Sequence, residues 1–552
     1  MKKVIIIGGV AGGASCAARL RRNSEDIEIV LLEKGPFISF ANCGLPYHIS
    51  DVISQQDDLL LMTPELMQKR FKIDVRVNSE VTAINRDKKT VTIKNNDKTY
   101  DESYDTLVIA TGSSPLKPAI EGIDSSKIKT LWTVNDAIQI KKLVKENSIQ
   151  NVAVIGGGFI GLEMADNLLE AGKHVTILEA ANQVMAPLDI EMAEILHKHI
   201  RDKGIDLHLQ DGVRKFEENN DKIITTLESG ATVESDLVIL SIGVRPNSAI
   251  AKDAGLELNK RGGIVVDEYM KTSDDNIYAV GDVVEIEDFI THDKTMIPLA
   301  GPANKQGRLV ANTIAGNPEA YHGTQGSSIA KVFDYTAAST GLNEKTLIQR
   351  GLEKEKDYKT VMIVQNHHAG YYPGAKPMVL KLLFNQDGSK IYGAQIVGTK
   401  GVDKRIDTLS VAIRLGATVE DLKYLETSYA PPYSSAKDPV NMLGFTADNK
   451  LKGYVDFATY DEIENNPDAI VLDVREDSEV QNYALDNIVH IPFGQLRDRL
   501  DELDKDGQYI IMCGIGVRAY NSQRILNQNG FHHVKVYPGG MTYYLLTHKK
   551  KH

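Results

Sequence analysis

Three cysteines in 552 residues are too few for a disulfide framework. A reducing, cytoplasmic setting is the expectation. No run of about 18 apolar residues occurs, so no membrane-spanning helix is expected. The positive excess that a polyanion binder needs is also missing: the net charge is −12, which argues against general nucleic-acid binding. Met1-Lys2-Lys3 leads into a short apolar run and then a glycine-rich loop, the pattern of a strand rather than a signal peptide. What is there is ordinary for a globular chain, 42% hydrophobic and 25% charged. Its length predicts about three to four domains. Size demands no metal, and no metal ligands are assigned.

Val4 to Ile7 is a continuous apolar run, as in a strand buried on both faces. Gly8-Gly9-Val10-Ala11-Gly12-Gly13 follows, and Ala14 to Arg22 reads as a helix. Glu33 closes the next strand, Ile27 to Leu32, 20 residues past Gly13, with Lys34 beside it. Strand, glycine turn, helix N-terminus and distal acid form a dinucleotide fingerprint. The glycines let backbone approach a pyrophosphate, and the acid takes a ribose hydroxyl. One departure is Val10 in the middle glycine position. A second unit runs through the strand Asn151 to Ile155, then Gly156-Gly157-Gly158-Phe159-Ile160-Gly161, a helix from Leu162 to Ala171, and Glu179, 18 residues past Gly161. An acid there repels a 2′-phosphate, and no arginine lies between Glu179 and Arg201. NADH is therefore expected over NADPH. Ala110-Thr111-Gly112, Gly281-Asp282 and the return segment with Gly243 each close or follow an apolar strand. The first two resemble the later FAD-contacting segments of flavoproteins with two dinucleotide-binding domains. The resemblance implies that Asp282 bonds the flavin ribityl chain.

Between the two units lies Ser39-Phe40-Ala41-Asn42-Cys43-Gly44-Leu45-Pro46-Tyr47. Cys43 has no neighbouring cysteine to pair with, so it is free to attack a substrate sulfur; the bland alternative is a small buried residue. Cys16, among Ala14, Ala17 and Ala18, reads as packing. Beyond Gly326 come strand formers and two tyrosine segments, His367 to Ala375 and Tyr429 to Pro439. Near the end, the strand Tyr509 to Met512 runs into Cys513-Gly514-Ile515-Gly516-Val517-Arg518 and a helix from Ala519 to Asn527. Converging backbone N–H groups there suit a thiolate or persulfide. The C-x4-R spacing is one residue shorter than a phosphatase loop, which suits sulfur better than phosphate.

Residues 1 to about 445 resemble the coenzyme A disulfide reductases, single-cysteine flavoproteins with Ser-Phe-x-x-Cys-Gly after the first nucleotide unit. Asp473-Val474-Arg475, His490-Ile491-Pro492, the Cys513 loop and Pro538-Gly539-Gly540 resemble a rhodanese domain. These resemblances imply an α/β fold: an FAD domain over 1–115 and 246–324, an NAD(P)H domain over 116–245, an α+β dimerisation domain over 325–445, a linker over 446–453 and a rhodanese domain over 454–548. They imply Cys43 as nucleophile, with a thiol pKa lowered by oxidised flavin. Ser15, Arg19, Arg22, Ser39 and Asn42 would contact coenzyme A. In a homodimer, Tyr371 and Tyr429 of the other chain would act near the substrate sulfur and Lys437 would reach the coenzyme. Cys513 would carry sulfane sulfur in a loop closed by Arg518. Where some family members place a histidine near the Gly301–Asn304 turn, this chain has Asn304, which puts one phosphate contact in doubt. The expected substrate is a small thiol persulfide, polysulfide or disulfide. Two alternatives stand beside this: an NADH oxidase or peroxidase working through a sulfenic acid, and a redox-sensing flavoprotein. The peroxidase reading is weakened because the first histidine is His48, outside the first glycine loop.

Overall fold

The apolar runs become the central strands of parallel sheets. The structure, a computed structural model, describes residues 2–96, 98–486 and 488–548. The basic tail, expected to fray, lies outside the described residues from 549 on. The chain divides into two compact units, 1–181 with 208–326, and 182–207 with 327–552.

In the first unit, strand Lys2–Ile7 lies between Thr106–Ile109 and Ile27–Leu32, and Ile277–Ala279 flanks Thr106–Ile109. All pairs are parallel, and Val4 to Ile7, Ile29 to Leu32 and Thr106 to Ile109 are buried on both faces, which is why these runs carry no polar alternation. Their register aligns Ile7 with Leu32 and Ile109, and Ile109 with Ala279. The Gly8 loop, Glu33, the Ala110–Gly112 turn and Gly281-Asp282 therefore leave the sheet from one edge. A second parallel set repeats the arrangement. Asn151–Ile155 lies between His174–Leu178 and Leu237–Leu240, with Ile155 beside Leu178 and Leu240. The Gly156 loop, Glu179 and Gly243 share its carboxyl edge.

The second unit holds a five-stranded antiparallel sheet in the order Ser328–Val332, Tyr335–Gly341, Ile391–Gly398, Pro377–Asn385, Tyr358–Asn366. It also holds a four-stranded parallel sheet in the order Ile488–His490, Ile470–Asp473, Tyr509–Met512, Val534–Val536. Asp473 lies beside Met512, so Arg475 and Cys513 leave from one edge.

Two features depart from expectation. Residues 446–451, expected as linker, are helical, because Pro439–Leu451 is one helix. Asp438 caps it, accepting from the Val440 N–H at 3.0 Å, and Val440, Leu443 and Ala447 bury one face. Residues 182–207, expected within the nucleotide domain, belong to the second unit. There the buried Lys381 ammonium donates to Asp189 at 2.7 Å and pairs with Glu191 and Glu344. Gln395 donates to Asp189 at 2.7 Å, and the Tyr543 hydroxyl donates to the Glu191 carbonyl at 2.7 Å.

Candidate active site

The Cys43 stretch is tied at both ends to nucleotide-unit elements. On one side the Ser39 N–H donates to the Gly9 carbonyl at 2.8 Å, inside the first glycine loop. Ser39 takes a left-handed conformation, φ 45°. Leu61 N–H donates to the Ser39 carbonyl and Ala41 N–H to the Leu59 carbonyl, which clamps the stretch from outside. Cys43 then sits in a single turn, Asn42–Gly44, and is exposed. Helix Leu45–Ile49 follows, with a proline in its first turn where the missing N–H costs nothing. This helix packs on Phe159–Glu170, the helix that opens from the second glycine loop: Ser50 Oγ donates to Asn167 at 2.6 Å, and Tyr47 OH approaches Glu163 at 3.5 Å.

The protein's own groups work against ionisation of this thiol. Desolvation by the surrounding protein, then the field of Glu163, push the Cys43 thiol up. Glu163 is itself raised to about 7 by burial, with Asp166 adding and Tyr47 opposing. Burial and Glu163 push the Tyr47 phenol to about 12. Neither Glu163 nor Tyr47 stood out in the sequence. A glutamate one helical turn into a nucleotide-binding helix reads as a solvated residue until the Cys43 segment is laid across it.

The two glycine loops use the same device. Glu33 accepts from Gly9 N–H at 2.9 Å and Gly35 N–H at 2.8 Å. Glu179 accepts from Gly157 N–H at 2.6 Å and Ala181 N–H at 2.7 Å. Each acid thus braces its loop and keeps lone pairs for a ribose. Helices Ala11–Asn23 and Phe159–Glu170 begin inside the loops, so Ala11, Gly12, Phe159 and Ile160 are first-turn residues with N–H groups turned to the phosphate side. A Cβ at Gly112, Gly158 or Gly243 would meet nothing within 4 Å, which leaves the cradle open. Val10 precedes the first helix as its cap residue, so its departure from glycine leaves the turn intact. Asp282 is pushed up by burial, opposed by Ser113, whose hydroxyl donates to it at 2.7 Å. These donors and acceptors fit two dinucleotides, one per loop.

The residues expected at coenzyme A are only partly gathered. The Ser15 hydroxyl donates to the Asn304 side chain, so the residue standing in for the histidine meets an expected contact. Arg19 donates to Asn312 at 2.8 Å, while Arg22 lies over the Phe71 ring at 5.1 Å. The two arginines, both expected at coenzyme A, turn to different neighbours.

In the second unit the two tyrosine segments are brought together. Tyr371 and Tyr429 share a hydrogen bond of 2.8 Å between hydroxyls, and both rings are exposed. The Ala369 N–H donates to the Ser434 carbonyl, and buried Arg405 and Ser434 both bond Asp438, beside the exposed Lys437.

Cys513 is buried at the strand end, and Gly516 N–H donates to its Sγ at 3.1 Å. Met541 and Thr542 N–H groups hold the Cys513 and Gly514 carbonyls from the Gly540–Thr547 helix. Arg518 forms a two-pronged pair with Glu479, at 2.6 and 2.8 Å. Cys16 is buried in the first core, and burial pushes its thiol to about 12, which fits packing. Among the described residues no helix is long and apolar enough to cross a membrane.

Residues 2–307 match the pyridine nucleotide-disulphide oxidoreductase family, 327–439 the dimerisation domain of that family and 458–546 the rhodanese-like domain. A coenzyme A disulfide reductase of Staphylococcus aureus strain JH9 is 35% identical over 450 residues, covering 81% of this chain and 100% of the relative. The reduced CoADR-RHD of Bacillus anthracis is 48% identical with a TM-score of 0.93, covering 99% of this chain and 98% of that one. A NAD-dependent persulfide reductase from A. fulgidus is 38% identical with a TM-score of 0.94, covering 98% and 100%.

Proposed function

The chain belongs to the pyridine nucleotide-disulphide oxidoreductase family and carries a rhodanese-like domain, and from that premise we propose that it reduces a coenzyme A persulfide, polysulfide or coenzyme A disulfide at Cys43, with sulfane sulfur delivered by Cys513. The observation that carries this reading is the lone exposed thiol in a stretch bonded to the Gly9 loop on one side and to the Phe159–Glu170 helix on the other. Only a thiol placed between two dinucleotide loops has use for both. The similarity to a coenzyme A disulfide reductase and to a persulfide reductase supports the substrate class.

Glu33 and the first loop would hold FAD with Thr111 and Asp282, and Glu179 and the second loop would hold NADH. Bound there, the two dinucleotides would supply hydride-transfer chemistry and, through it, two electrons for sulfur. The chain's own part is the sulfur chemistry. Cys43 thiolate attacks the coenzyme-bearing sulfur of the persulfide; a Cys43–S–S–CoA bond forms, the bond to the outer sulfur breaks, and hydrosulfide leaves. Two-electron reduction of that mixed disulfide returns the Cys43 thiolate and frees coenzyme A thiolate. The hydroxyls of Tyr371 and Tyr429, from the partner chain of a homodimer, would stabilise or protonate the departing thiolate. Ser15, Arg19, Ser39 and Asn42 would seat the coenzyme, with Lys437 from the partner.

The test is anaerobic NADH oxidation by the full-length protein with coenzyme A persulfide and with coenzyme A disulfide. Persulfide preference with sulfide release is the expected result. Cys43→Ser should retain flavin and lose turnover with both. Full reductase activity in that variant would overturn the reading.

A further inference from the structure

Sulfur transfer by Cys513 leaves open which donor loads it, and the charges around its loop bear on that choice. Arg518 is the only cation within Cys513–Arg518. A small dianion such as thiosulfate needs a free cation at this point, because its sulfite leaving group carries the charge away. Arg518 is not free. Glu479 binds it through both carboxylate oxygens, at 2.6 and 2.8 Å, and Glu476 approaches at 3.5 Å. Arg518 in turn holds the Glu479 carboxyl down at about 2, so the pair is fully ionised at any working pH. The pair lies over the loop itself: a Cβ at Gly514 would come within 3.3 Å of Arg518 and 3.6 Å of Glu479. One guanidinium between two carboxylates leaves the loop mouth net negative. The nearby Arg475 is buried and taken up by Asp473 at 2.7 Å.

The rest of the mouth is apolar. Ile515 and Val517 expose 41% and 47% of their surface, although the loop around them is ordered by the Cys513 and Gly514 carbonyl bonds. A rim of this kind suits an uncharged carbon arm beside the reacting sulfur.

We propose that the Cys513 loop is loaded by an organic persulfide whose sulfur sits on an uncharged arm, and that the Glu479–Arg518 pair excludes thiosulfate. This rests on the reading of Cys513 as a sulfur carrier. The step balances without an added oxidant or reductant. The Cys513 thiolate attacks the outer sulfur of R–S–SH; a Cys513–S–SH bond forms, the R–S bond to that sulfur breaks, and R–S⁻ leaves with the electron pair.

The experiment uses the full-length protein, cyanide as acceptor and thiocyanate as readout, with pantetheine persulfide and thiosulfate as donors. This assay involves neither Cys43 nor a dinucleotide, so failure of the NADH-linked reaction does not touch it. The wild type should favour pantetheine persulfide by about tenfold or more in kcat/KM, since a dianion meeting one excess negative charge at contact range is disfavoured on that order. Glu479→Gln keeps the shape and removes one charge. It should raise kcat/KM for thiosulfate by about tenfold and change that for the persulfide less than about twofold. Added salt should raise the wild-type rate with thiosulfate and leave the persulfide rate flat, a test that needs no variant. Equal use of both donors by the wild type, or a folded Glu479→Gln variant with unchanged thiosulfate activity, would overturn the proposal alone. Absence of thiocyanate with either donor would overturn it together with the sulfur-carrier reading.

Discussion

At the residue scale, Cys43 and Lys381 show two opposite uses of neighbouring carboxylates. Glu163 stands near a thiol that must ionise, and its charge works against that. Its pKa of about 7 means the carboxylate is neutral below that pH and charged above it. Glu163→Gln should therefore speed iodoacetamide alkylation of Cys43 in the holoenzyme above pH 7 and leave it unchanged below, as the variant loses only the charged form. A uniform change at all pH values would show a packing effect instead. Lys381 is the reverse case: a fully buried cation that three carboxylates surround. Burial opposes its charge, yet Glu191, Asp189 and Glu344 raise its pKa. Lys381→Met should cost about 3–5 kcal/mol by leaving buried carboxylates unpaired. Thermal unfolding should show that deficit shrinking as pH falls, because protonation then relieves the same groups. None of these partnerships is written in local pattern. Glu163 lies 120 residues from Cys43, and Lys381 lies 192 from Asp189.

At the element scale, the strands agree closely with their apolar runs, and the helices begin earlier than their apolar faces. Helices expected from Ala14, Leu162 and Ala519 start at Ala11, Phe159 and Val517. The reason is common to all three. A glycine loop that offers N–H groups to an anion is already the first helical turn, and its small residues carry no periodic signal. Two glycines in the second loop separate packing from binding. A Cβ on Gly161 would come within 1.9 Å of the Gly156 carbonyl oxygen, whereas one on Gly158 meets nothing within 4 Å. Gly161→Ala should lose about 3 kcal/mol of stability by forcing helix from strand. Gly158→Ala should keep its melting temperature and raise KM for NADH without releasing flavin. Calorimetry and steady-state kinetics on the pair check both outcomes.

At the scale of the whole molecule, the exposed Tyr371–Tyr429 pair is the feature that a single chain leaves unexplained. Two hydrogen-bonded phenols on an open surface fit a homodimer in which each chain completes the site of the other. Cys43→Ser and a Tyr371→Phe, Tyr429→Phe double variant should each be inactive alone. Mixing them under subunit exchange should restore NADH-linked turnover, and no recovery would place the tyrosines outside the partner's site. What the sequence by itself determined is the apolar strands that lead into the loops, the two dinucleotide loops, the lone Cys43 and the Cys513 loop, since apolar runs, glycine spacing and a cysteine's neighbours are local properties. Only the tertiary structure decided that residues 182–207 belong with the second unit, that 446–451 is helix, that Arg19 and Arg22 part, and that Glu179 and Glu33 brace their loops. It alone put Glu163 beside Cys43 and Glu479 on Arg518. Charge pairing depends on distance through space, and residues far apart in the chain meet only when sheets and helices are packed.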